Sequence, residues 1–183
     1  MTSPLIFDVA HLLSPSANTD YRSTSGPAPE RIGLELIAID QGSELGVDAT
    51  LAPLGDAVMV DATVHATLSG QCARCLEPLR VQRDFRISQV YSESTDFITD
   101  DAAEDDEDAA DELQDAIGRI NQGRVDLLDA LTTTVGLELP FSPTCEDYGD
   151  ECVYDTVPAP DGVSGEEDDE RIDPRWAGLE KFQ

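Results

Sequence analysis

The sequence predicts an α+β fold, an antiparallel β-sheet packed with one main helix, on three observations. From Val58 to Ser69 apolar and polar residues alternate without a break. Val58, Val60, Ala62, Val64, Ala66 and Leu68 take one parity, and Met59, Asp61, Thr63, His65, Thr67 and Ser69 take the other. That is the pattern of a strand buried on one side and wet on the other. A second alternating run follows the loop Gly70 to Pro78, with Leu79, Val81, Phe85, Ile87 and Tyr91 on one parity, interrupted by Arg83 and Gln89. The two runs are expected to pair as antiparallel neighbours. Third, Leu128, Leu131 and Val135 recur at helical spacing, Leu127 widens the stripe, Asp126 can cap the start and Pro140 stops the helix. A small barrel is the alternative arrangement for the strands.

The remaining elements follow from shorter patterns. Leu5 to Val9 reads as a short strand, and Ser14 to Pro29, rich in Ser, Thr, Pro and Gly, reads as a loop. Ile32 to Ile39 and Leu45 to Leu51 are two further strands separated by Asp40-Gln41-Gly42-Ser43, giving four or five in all. A last short helix is expected at Asp173 to Leu179, where Asp173 serves as N-cap and Pro174 suits the first helical position.

Composition sets the size of this core. Of 183 residues 40% are apolar and 27% charged, which suits one domain of about 110 to 130 ordered residues with acidic appendages. The expected division is a domain over residues 1–145, containing a disordered acidic insert at about 93–115, then an acidic tail over 146–183. No run approaches the ~18 consecutive apolar residues of a membrane span. The first positive charge is Arg22, so a basic signal peptide is not expected either, and the protein is read as cytoplasmic.

The net charge is -28, and it is unevenly placed. Glu93 to Asp115 holds twelve acids and no base, and Glu146 to Asp173 holds twelve acids against Arg171 alone. The rest of the chain is nearly balanced. Capture of bulk RNA through phosphate neutralisation is therefore disfavoured. Cys72 to Ser92 is locally positive, however, with Arg74, Arg80, Arg83 and Arg86 against Glu77 and Asp84. These arginines are candidates for RNA or partner contact, or they simply pair with the chain's own acids. The acidic blocks either solvate themselves as disordered segments or mimic a polyanion that shields a basic partner.

Four cysteines carry the chemistry open to this chain. Cys72 and Cys75 flank two residues in a tight turn, and Cys145 and Cys152 follow the helix, separated by six. Together they could close one tetrahedral zinc site and tie the segment after Pro140 to the sheet edge. Four reduced thiols without a metal are the plain alternative in a reducing compartment. A redox pair is disfavoured, because Leu76-Glu77-Pro78 and a strand follow where a thioredoxin-like pair would open a helix. His65 on the polar strand face reads as a surface residue. No nucleophile motif, acid-base pair or phosphate loop stands out, so neither an enzyme nor a small-molecule substrate is expected. Trp176, the single tryptophan, either packs the tail helix on its own domain or anchors a partner.

Three blocks together resemble the YceD family, the large ribosomal RNA subunit accumulation proteins of bacteria and plastids. The most specific is Val64 to Leu79, an alternating strand, a Cys-x-x-Cys turn with central Arg74 and a hydrophobic return. The second runs from Arg124-Val125-Asp126-Leu127-Leu128 to Leu137-Glu138-Leu139-Pro140, similar to the family's Asp-Leu helix ending in Leu-x-Leu-Pro. The third is Asp173-Pro174-Arg175-Trp176 through Leu179, similar to the family's closing signature. Many relatives carry several closely spaced cysteines after Leu-Pro, whereas this chain has only Cys145 and Cys152 there. The resemblance implies a role in accumulation of large-subunit ribosomal RNA and assembly of the large subunit, without a catalysed reaction. It implies large-subunit RNA or the assembling particle and a basic ribosomal protein as partners. A zinc- or thiol-dependent stress regulator is the competing expectation.

Overall fold

The computed structural model describes residues 3–14, 16–93 and 117–152. Met1–Cys152 is one compact unit. The tail helix, Trp176 and the acidic insert, apart from Glu93, lie outside the described residues.

In chain order the strands are β1 (Ile6–Asp8), β2 (Asp20–Pro27), β3 (Ile32–Gly33), β4 (Ile37–Ile39), β5 (Glu44–Leu54), β6 (Ala57–Gln71), β7 (Pro78–Ser92), β8 (Gly118–Arg119) and β9 (Arg124–Asp126), and helix α1 spans Leu128–Glu138. Seven strands form one sheet and β1 pairs with β9 in a separate ribbon. The fold is α+β. The sheet stays open and is not closed into the alternative small barrel.

The long hairpin β6–β7 is the spine of the sheet. It pairs without interruption from Ala57↔Ser92 to Gln71↔Pro78. Val58, Val60, Ala62, Val64, Ala66 and Leu68 are all buried, as are Leu79, Phe85, Ile87 and Tyr91, so alternation imprints one apolar face on both strands. On the other edge of β6, β5 pairs from Gly46↔His65 to Leu54↔Ala57, and β4 pairs beyond it from Ile37↔Gly70 to Ile39↔Leu68. All these pairings are antiparallel; the two-residue pairing of β8 with β7 is parallel.

Two regions differ from the sequence expectation. The apolar run Ile32 to Ile39 is two strands rather than one, because the chain reverses between Gly33 and Ile37. Gly33 takes φ +136°, and a Cβ there would lie 2.8 Å from the Ala38 Cα; only glycine fits that reversal. The Ser- and Thr-rich stretch read as a loop contains β2, paired with β5 from Asp20↔Leu51 to Pro27↔Glu44. An edge strand with no fully buried residue leaves no apolar alternation to read.

The main core lies on the apolar face, covered by the β1–β9 ribbon, a short 3-10 turn at Ala10–Leu13 and α1, which packs against β7 and β3. Leu131 and Val135 point inward, flanked by buried Leu127 and Leu139. Asp126 Oδ1 accepts the Leu128 N–H at 3.0 Å, so the expected cap satisfies one of the free amides of the first turn. Among the described residues no helix is long and apolar enough to cross a membrane.

Candidate metal centre

The tip of the β6–β7 hairpin delivers the first cysteine pair. Cys72 follows β6 directly, and its N–H and C=O close the turn by bonding the Glu77 carbonyl at 2.9 Å and the Leu76 N–H at 3.0 Å. Leu76 takes φ 64° and is exposed, a left-handed conformation that a branched apolar residue adopts only when the surroundings dictate it. The second pair comes from the segment after α1. Pro140 ends the helix, and the Pro143 carbonyl accepts the Ala73 N–H at 2.7 Å, which docks the returning chain on the cysteine turn.

The six residues between Cys145 and Cys152 fold back on themselves. Asp147 Oδ2 accepts the N–H and the hydroxyl of Thr144, at 2.7 and 2.9 Å, where a 3-10 turn begins. Gly149, at φ 82°, ends that turn, and the Asp150 N–H bonds the Cys145 carbonyl at 3.0 Å. The longer spacing is thereby compacted into a loop that brings both sulfurs to one point. Arg74, the central residue of the first turn, donates to Glu146 Oε1 at 2.9 Å across the two segments.

All four sulfurs lie within 4.8 Å of one another. Cys72, Cys145 and Cys152 are buried and Cys75 is half-buried. Four sulfurs at about 2.3 Å from one zinc ion would sit about 3.8 Å apart on a tetrahedron. Cys75 and Cys145 are 3.5 Å apart, so the donor set fits a closed four-thiolate site. Two of the sulfurs are shifted in opposite directions. The Cys75 N–H is the main influence on Cys72, opposed by burial and reinforced by the Arg74 N–H, the Cys75 thiol and the Cys145 N–H, and it draws the Cys72 thiol down to about 6. Burial, with the Cys75 and Cys72 sulfurs beside it, pushes Cys145 up to about 12. A divalent metal held by these four residues would bind their sulfurs as thiolates, so its binding would release protons.

Of the other candidate residues, Arg74 is engaged in the centre itself. Arg80 and Arg86 lie on the wet face of β7, opposite Ser69 and Thr63, while Arg83 lies on the apolar parity opposite Ala66. All three are exposed. Leu79 and half-buried Tyr148 pack against the cysteines, and Tyr148 also joins the main core; burial raises the Tyr148 phenol, with Arg83 pulling it down.

Sequence reasoning missed the arrangement around His65. Its Nδ1 lies 2.7 Å from Asp84 Oδ1 and its Nε2 3.1 Å from Asp48 Oδ2, spanning three strands of the wet face. The register Gly46↔His65↔Asp84 holds the signal, since it sets the ring one row from Asp48.

A family described as "Large ribosomal RNA subunit accumulation protein YceD" matches residues 60–183, from the middle of the sheet through the cysteine turn to the chain's last residue. The chain belongs to the YceD family. The family's description supports a ribosome-related role. The chain is also 38% identical over 181 residues to uncharacterized protein Rv2926c of Mycobacterium tuberculosis (strain H37Rv) and to uncharacterized protein Mb2951c of Mycobacterium bovis, covering 98% of this chain and 81% of each relative. Uncharacterized protein ML1660 of Mycobacterium leprae is 31% identical over 186 residues, covering 98% of this chain and 77% of the relative. No solved structure gives a significant match.

Proposed function

We propose that this protein is a non-enzymatic, cytoplasmic ribosome biogenesis factor that supports accumulation of large-subunit ribosomal RNA and assembly of the large subunit. Family membership over residues 60–183 carries this reading. In it, Cys72, Cys75, Cys145 and Cys152 hold one zinc ion, which fixes the segment after α1 to the hairpin tip and makes that end of the sheet a rigid platform. Arginines of the platform and Trp176 meet the assembling particle, while the acidic segments hold a basic ribosomal protein.

The test is the sedimentation profile of ribosomal particles, with the ratio of large- to small-subunit RNA, in cells depleted of the protein. A large-subunit deficit restored by the wild-type chain and poorly by Cys72→Ser/Cys75→Ser is expected. An unchanged profile would leave family membership as shared ancestry and move a second reading forward. That reading, a regulator that senses metal or oxidant, draws on the low Cys72 thiol and the half-buried Cys75.

A further inference from the structure

The arginine-rich strand β7 is the outer strand of the hairpin, and its far side is largely open. Among the described residues it pairs beyond β6 only with β8, at Tyr91 and Ser92. Helix α1 packs near Ile87, Ser88 and Gln89, which leaves Arg80 to Arg86 without a strand partner beyond β6 among the described residues, with Tyr148 of the cysteine centre near Arg83. Four arginines looked equivalent in the sequence, and the structure separates them. Arg74 is taken by Glu146 at 2.9 Å. Arg80, Arg83 and Arg86 make no hydrogen bond or ion pair among the described residues.

The acid that would offset them is also taken. Asp84, the only carboxylate between Arg80 and Arg86, is bound by His65 Nδ1 at 2.7 Å. So the edge presents three guanidiniums with no hydrogen-bonded or ionic partner among the described residues, two on the wet face and one on the other, over a span of about 20 Å at ~3.4 Å per residue. Net charge does not decide the field there. At physiological ionic strength charges farther than about 8 Å are largely screened, so the near groups count: the three arginines, with Asp84 among them and Asp61 one row from Arg86 across β6.

We propose that the Arg80–Arg86 edge of β7 is a phosphodiester-binding edge that takes a single-stranded segment of RNA, with one phosphate on each of Arg80, Arg83 and Arg86. Arg74 does not contact the RNA and instead pins the cysteine loop. A second copy of the chain is a poor occupant, because antiparallel pairing of two such edges would set arginine against arginine. Planar guanidiniums suit phosphate oxygens, which they can engage through two parallel N–H bonds. This proposal rests on the ribosomal RNA reading above and names its contact.

The experiment is fluorescence anisotropy of a labelled oligouridylate with the full chain, titrated over a range of salt concentrations. Neutralising three phosphates of a single strand gives a log-log salt slope of about −2, and Arg80→Gln, Arg83→Gln and Arg86→Gln should each reduce its magnitude by about 0.7. Arg74→Gln should leave the slope unchanged. All four are exposed or half-exposed substitutions that spare the core, and circular dichroism verifies the fold. No binding, a slope indifferent to the three variants, or equal displacement by polyglutamate would each overturn the proposal, the last by identifying an acidic peptide as the occupant. A large-subunit deficit in depleted cells together with such a result would sink this contact alone; intact binding without a deficit would sink the biogenesis reading alone.

Discussion

The β6–β7 hairpin passes through two different interiors. Along its middle Val64 faces Phe85 and Ala62 faces Ile87, and both pairs belong to a buried cluster that also takes in the N-terminal ribbon and α1. At its tip the buried cluster is Cys72, Leu79, Cys145 and Cys152, with only Cys75 and Tyr148 packed against it. Burying a large apolar side chain contributes about 1.5–3 kcal/mol, so the middle is held by many such terms. The tip has one leucine and three small thiols. Its cohesion must come from backbone hydrogen bonds, the Arg74–Glu146 pair and the sulfurs themselves. One end of the hairpin is thus a hydrophobic core, and the other is organised as a ligand set.

The comparison can be broken from the tip first, where the largest effect is expected. In the zinc-bound form proposed above, chelation should strip amide protection from residues 141–152 by orders of magnitude in hydrogen exchange while the middle of β6 and β7 stays protected. Uniform loss of protection would mean that tip and middle are one cooperative unit. Phe85→Ala should act on the other interior, lowering stability by about 3–5 kcal/mol in denaturant unfolding. Asp126→Ala removes the cap on the Leu128 N–H and should cost about 1 kcal/mol, detected as a smaller fall in the same midpoint.

The smallest effect belongs to the wet face, and it depends on pH. The Asp84 carboxylate, then that of Asp48, raises His65 above its ordinary 6.5. The Ser23 hydroxyl, then His65, holds Asp48 below 3.8. A raised histidine contributes stability that is complete below its unfolded value and fades as pH rises through the folded one. A lowered carboxylate contributes stability that is complete above its unfolded value and fades as pH falls. The ring and Asp48 therefore support the fold best between about pH 4 and 6.5. His65→Gln should flatten the decline in thermal midpoint above that window; an unchanged decline would contradict the bridge.

What could be read from the sequence follows the same division. β5, β6, β7 and α1 leave a periodic trace because each buries one face, and Leu45, Val47, Ala49 and Leu51 or Leu131 and Val135 repeat at the spacing that burial demands. β2 leaves none, since an edge strand without a buried residue has no reason to alternate. The break between β3 and β4 hid inside an apolar run, its cause being one left-handed glycine. At the metal centre the residue types were legible, and their meeting was not. Cys75 and Cys145 are separated by 70 residues, and the turn at Gly149 that compacts the second pair has no counterpart in a spacing rule. The partition of the arginines was equally invisible, because only the fold brings Glu146 to Arg74 and Asp84 to His65.

The proposal most open to direct test is that the four sulfurs at the tip of this hairpin hold one zinc ion. Native mass spectrometry of the purified chain, read beside the rate at which its thiols react with a colorimetric disulfide reagent, tests it most directly. One zinc per chain is predicted, with four slow thiols that become fast on chelation and with the metal lost in Cys152→Ser. A metal-free chain prepared in the presence of zinc, with thiols that react at the same rate whether or not zinc is added, would contradict it.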